Sequence, residues 1–139
     1  MLRQILFGGE TGLSPLANAG LTLLRIFAGV SLALAHGTGK LPPAESFIEG
    51  TSKLGFPVPG FFAWAAALTE SVGGIFLALG FLTRLSSFFI VILMLTALLR
   101  VHIADPYPKQ ELAFLYLFIA IAFMLKGSGD WSIDSFLRK

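Results

Sequence analysis

Two ionisable residues stand inside stretches otherwise as apolar as lipid. Arg25 lies eight residues into an apolar run that begins at Ala17, and Glu70 ten residues into one that begins at Gly60. A charge at the centre of a bilayer costs about 2.5–3.5 kcal/mol even on insertion scales, so neither is expected there without a partner or a task. Counted from opposite ends at 1.5 Å per residue, both fall roughly 12–15 Å in, near the midplane. An Arg25–Glu70 pair between antiparallel helices is therefore the expectation. It reads either as an ion pair that fixes packing or as a group that handles protons or a ligand. Gly73 and Gly74 follow Glu70 by three and four residues, and Gly29 follows Arg25 by one turn, which allows close helix approach on the same faces.

A second constellation gathers at helix ends. His36 comes eleven residues after Arg25, about three turns, so both are expected on nearly one face. His36 closes its apolar run where Arg100 and His102 close a third and Glu111 opens a fourth, with Lys40 and Asp105 in the adjoining connections. Imidazole, guanidinium and carboxylate gathered at one mouth of a bundle make a candidate functional site able to pass a proton. His36 and His102 could also hold a haem from two helices, a reading disfavoured because terminal histidines serve equally as proton carriers. Tyr116 is the one aromatic inside a run whose hydroxyl needs a partner or a polar cavity. The chain has no cysteine, which removes disulfides, thiolate metal sites and thiol relays. No P-loop, GxGxxG, HExxH, GxSxG or CxxCH occurs. No metal site and no nucleotide or hydrolytic chemistry is expected.

The elements that carry these residues follow from length and hydropathy. Crossing about 30 Å of hydrocarbon takes roughly 20 residues, and residues 17–37, 60–82, 84–104 and 111–126 meet or approach that length. Backbone groups in lipid must pair internally, so all four are helices. Leu41-Pro42-Pro43, Pro57-Val58-Pro59-Gly60, Gly80–Arg84 and Asp105-Pro106-Tyr107-Pro108 mark the breaks, and Lys126-Gly127-Ser128-Gly129 ends the last helix. Short connections make neighbours antiparallel. The fold class is thus all-α, an integral membrane four-helix up-down-up-down bundle forming one domain over 1–139. The longest connection, 38–59, sets Phe47, Ile48 and Leu54 against Glu45, Glu49 and Lys53, as a short interfacial helix would. The first sixteen residues lack a signal peptide's apolar run and cleavage site and read as a mature segment at the interface. Arg3, Arg84, Lys126, Arg138 and Lys139 on the face holding the termini outnumber Lys40, Lys53, Arg100 and Lys109 opposite, which puts the termini in the cytoplasm.

Composition agrees. The 139 residues are 55% hydrophobic and only 13% charged, with mean hydropathy +0.82. Soluble domains carry about 25% charged residues; this chain's outer surface must instead meet lipid. The net charge of +2 is dispersed, which excludes a nucleic-acid footprint and a polybasic lipid-binding run.

The ordered set Arg25, Gly29, His36-Gly37 and Lys40, then Gly55-Phe56-Pro57-Val58-Pro59, Glu70-Ser71-Val72-Gly73-Gly74 and Leu79-Gly80-Phe81-Leu82-Thr83-Arg84, resembles DoxX-type membrane proteins. The closing Gly127-Ser128-Gly129-Asp130-Trp131-Ser132-Ile133-Asp134 is similar to the family's end signature, so the resemblance spans roughly residues 18–134. It implies a bacterial inner-membrane protein linked to redox systems, such as a subunit of thiosulfate:quinone oxidoreductase, a partner of oxidative-stress enzymes, or a protein answering quinone or catechol stress. Thiol activity found in some relatives does not carry over, because the cysteines are missing. The expected function is an accessory subunit of a redox system, not an enzyme by itself, that binds a quinone or similar apolar molecule. Arg25, His36, Glu70, Arg100, His102 and Glu111 are its candidate site residues. Two alternatives stand beside it: an assembly factor or membrane anchor for a partner protein, with the ion pair merely structural, and a small transporter or channel formed as a homo-oligomer. In the closing signature Asp130 and Ser132 are expected to cap the tail 133–139.

Overall fold

The computed structural model describes residues 2–138; Met1 and Lys139, the latter counted above among the basic residues, lie outside them. The described chain is helical, without strands. We label the helices α1 (Leu2–Phe7), α2 (Pro15–Lys40), α3 (Glu45–Lys53), α4 (Pro59–Leu79), α5 (Thr83–Val101), α6 (Tyr107–Lys126) and α7 (Ile133–Arg138). Four of them, α2, α4, α5 and α6, are long and apolar enough to cross a membrane. The last three rise about 30 Å each, the thickness of the hydrocarbon.

Local chemistry sets the ends. Ser14 accepts a hydrogen bond from the Ala17 amide at 3.2 Å, and Pro15 occupies the first turn of α2, where its missing N–H costs nothing. α4 stops at Gly80, whose φ of 66° is left-handed, with Phe81 N–H donating to Phe76 C=O at 2.9 Å. α6 starts at Tyr107, one turn before the expected Glu111, because Pro106 and Pro108 fit a helix's first turn. It ends where Gly127 takes φ 84°.

The interior is built from small and branched residues. Ala63, Ala67 and Ala120 are fully buried, and Leu32, Leu77, Ile90, Leu117 and Phe123 nearly so. Large apolar side chains face outward instead: Leu16 is 86% exposed and Phe27 73%. That inversion is intelligible only with lipid outside. α2 and α4 meet backbone to backbone. A Cβ at Gly74 would come within 2.8 Å of the Gly29 carbonyl, and one at Gly37 within 2.5 Å of the Ser71 amide nitrogen. Those contacts fix an antiparallel register in which Gly37 lies beside Ser71 and Gly29 beside Ala78.

One consequence shapes the rest of the molecule. α2 ends at Lys40, level with the middle of α4 and α6. Beyond that depth only α4, α5 and α6 continue, and the amphipathic helix α3 packs on α4 over the vacated corner.

Candidate functional site

Three of the four long helices each contain one wide, π-helical turn: Leu32–Gly37 in α2, Thr69–Gly73 in α4 and Ala97–Val101 in α5. Such turns add a residue to the helix and are frequent at functional sites. Here they border a single cavity of about 720 Å³ in the corner that α2 leaves open. α3 covers it with Phe47 and Thr51, joined by Leu54 just past its end, while Leu93, Met94 and Ala113 of α5 and α6 line it as well.

Its inner end is polar. The Lys40 ammonium donates to the Glu70 carboxylate at 2.5 Å. Glu70 is buried, whereas Lys40 keeps about a third of its side chain accessible. His36 stands edge-on to Tyr116, ring centroids 6.0 Å apart, and all four side chains line the cavity. Lys40 also lies 5.4 Å above the Phe47 ring, tying α3 to the same ion pair. The buried Glu70 charge is tolerable because the half-buried Lys40 ammonium neutralises it within hydrogen-bond distance.

Arg25 and Glu70 do not pair. The register set by Gly29 and Gly37 puts them roughly 17 Å apart along the bundle axis, since Glu70 is level with His36, eleven residues from Arg25. Arg25 instead donates to the carbonyls of Leu77 (3.2 Å), Ala78 (3.0 Å) and Trp131 (2.7 Å). Arg25 and His36 meet different elements: Arg25 reaches the end of α4 and Trp131, while His36, within a π turn that departs from the regular helical period, meets the Tyr116 ring of α6. His36 lies at mid-depth, not at the mouth.

The mouth itself holds His102, whose Nδ1 lies 2.8 Å from Asp105, and Lys109. Arg100 does not line the cavity, but its guanidinium lies 5.9 Å from the ring centroid of Phe56, which does. Glu111 sits in a shallow groove on the outer face of α6, beside Tyr107 and Phe118. Of the six expected site residues, His36, Glu70 and His102 line the cavity; Arg25, Arg100 and Glu111 do not. Lys40 supplies the counter-charge that Arg25 was expected to supply, and only its place just after His36 hinted at this.

The closing signature is an anchor. Asp134 accepts from the Leu82 and Thr83 amides at 2.7 and 2.9 Å, capping α5 from across the chain, and its own amide donates to Gly80. Ser132 caps α7 through the Ser135 amide. Asp130 does not cap that helix; it binds the Asn18 side chain at 2.8 Å.

Asp105, outside the spans, has its carboxyl held below the ordinary value of 3.8, chiefly by the His102 hydrogen bond, with Lys109 and the His102 charge adding to it against partial desolvation. A depressed acid stabilises the fold above its unfolded pKa and loses that contribution as pH falls through the folded one. The turn between α5 and α6 should therefore hold its amide protection down to about pH 4 and lose it below. Asp105→Asn should flatten this dependence, and amide exchange of residues 102–106 measures it; an unchanged profile in that variant would refute the assignment.

The geometry defines a class: an all-α, multi-pass membrane protein whose helices enclose a ligand-sized cavity with an ion pair at its inner end. The chain belongs to the DoxX family, whose model matches residues 20–103. Among curated relatives, it is 28% identical over 121 residues to a Bacillus subtilis (strain 168) protein named "Putative oxidoreductase CatD", covering 86% of this chain and 88% of that one. It is 32% identical over 128 residues to an uncharacterized protein of Haemophilus influenzae (strain ATCC 51907 / DSM 11121 / KW20 / Rd), covering 86% and 92%. No solved structure matches. The matched family segment includes all of Arg25, His36, Lys40, Glu70, Arg100 and His102; the closing anchor lies beyond it.

Proposed function

We propose that the cavity binds a quinone or a closely similar ring compound, and that the protein is an accessory subunit of a redox system in the inner membrane, with its termini in the cytoplasm. The observation that carries this reading is the cavity's polarity: apolar walls around about 720 Å³, with Lys40, His36, Glu70 and Tyr116 gathered at one end. A quinone head is flat and apolar, with carbonyl oxygens that need donors. The Lys40 ammonium and the His36 imidazole are donors in the right chemical class. Glu70 holds the Lys40 ammonium in place, and the name of the Bacillus subtilis relative points to redox work.

Lys40→Met, His36→Ala and Glu70→Gln should each weaken binding of a short-chain benzoquinone to the detergent-solubilised protein. The expected loss is about tenfold or more, the worth of one hydrogen bond involving a charged group. Calorimetry or spectral titration reads this. Unchanged affinity in variants with wild-type thermal unfolding would sink the assignment. A stoichiometric co-purifying protein with no bound quinone would instead favour the anchoring role.

A further inference from the structure

The cavity has two openings of different chemistry. One is the mouth beside Lys109 and His102, and the other lies between α4 and α5. Those two helices pack closely near their shared turn and up to Gly73, where a Cβ would sit 3.9 Å from Ile90. Further from the turn, between α4's first turns and α5's second half, the cavity separates them. Residues framing this cleft belong to both surfaces. Phe61, Phe89 and Ile92 line the cavity yet are 65%, 48% and 45% exposed. Ala65, beside them, is also exposed and small enough to leave the gap clear. The side chains lining this opening are uncharged, with Arg100 at its edge over Phe56, and both helices there lie within the membrane-spanning lengths.

We propose that the cleft is a lateral portal through which the ligand passes between bilayer and cavity, and that the ligand is a lipid-soluble quinone whose hydrocarbon tail stays in the cleft. This rests on the quinone reading of the inner end and adds the route and the tail. The physical argument is a comparison of paths. Leaving lipid for water disfavours a tail by roughly fourfold per methylene, whereas sliding between Phe61 and Phe89 keeps every carbon in an apolar medium. The mouth beside Lys109, whose side chain is 68% exposed, would force the tail past charge and water.

A benzoquinone carrying a ten-carbon tail with a diazirine in its first few carbons would map the route in proteoliposomes. The expected result is photolabel on residues 61–69 and 89–96, removed by excess tail-less benzoquinone. Competed label confined to 45–54 or 109–116 would overturn the portal while leaving the head site intact. Label that excess head compound never displaces would overturn both. Ala65→Trp supplies a second readout: it should slow association of the tailed probe by about tenfold, the scale on which an apolar pocket rejects a misfit, and change the tail-less compound less than twofold. Equal slowing of both, in a variant that melts like wild type, would also overturn the portal.

Discussion

Arg25→Leu is expected to destabilise the protein by about 3 kcal/mol, the cost of stripping a buried charged donor from its partners. Arg25 is 2% exposed and holds three carbonyls at once. Two of them, Leu77 and Ala78, lie in the last turn of α4, where amides run short and Leu77 receives only the Gly80 N–H at 3.1 Å besides Arg25. The third, Trp131, belongs to the closing segment. The side chain thus joins α2, the end of α4 and the tail in one fixing point. Leucine fills part of the volume but leaves all three oxygens without that donor. For a chain of this size the loss corresponds to a fall of roughly 10 °C in Tm, measurable by differential scanning fluorimetry in mild detergent. Arg25→Lys keeps the charge without the fork and should lose less. A fall of under about 2 °C for leucine would mean that the three bonds contribute little, and the anchoring role assigned to Arg25 would be wrong.

Gly37→Val should damage both stability and ligand binding. The space for a side chain at Gly37 is already filled by backbone: a Cβ would lie 2.5 Å from the Ser71 nitrogen and 2.6 Å from its Cα. Neither helix can yield locally, so α2 and α4 must separate, at a cost of about 2–3 kcal/mol by the usual scale of overpacking. The separation acts where it matters most for the cavity. His36 precedes Gly37, and Lys40 reaches Glu70 from the turn that follows. Quinone affinity should therefore fall more than about tenfold, because the donors move away from the carboxylate that orients them. Gly39→Ala, two residues on with open space around it, is the matched control and should stay within about 0.5 kcal/mol of wild type. If valine at Gly37 binds quinone as wild type does, the inner end of the cavity is not the head site.

The membrane class and the four spans were legible in the residues because hydrocarbon thickness and backbone satisfaction leave little freedom: an apolar run of about 20 residues can only be a helix. Turn positions were equally legible, since Gly80, Pro106 and Gly127 have conformations that few other residues share. Glu70 and Arg25 announced themselves by being polar where lipid should be, His36 by closing its apolar run, and the amphipathic pattern of Glu45–Lys53 announced α3.

Partners were another matter. Arg25 looked like the counter-charge of Glu70 because both seemed to lie at mid-depth, and distance from a helix end was the only ruler available. The depth at which two helices meet is decided by where their backbones can touch. Gly29, Gly37 and Gly74 set that register, carrying Arg25 to the tail and Glu70 to Lys40. The direction in which a side chain points depends on the winding between it and its neighbours. No pattern in Leu32–Gly37 announced a π turn that would swing His36 toward Tyr116. Both are properties of contacts between segments far apart in the chain, so the amino-acid order by itself determined which polar groups enter the membrane, and only the tertiary packing decided which of them meet.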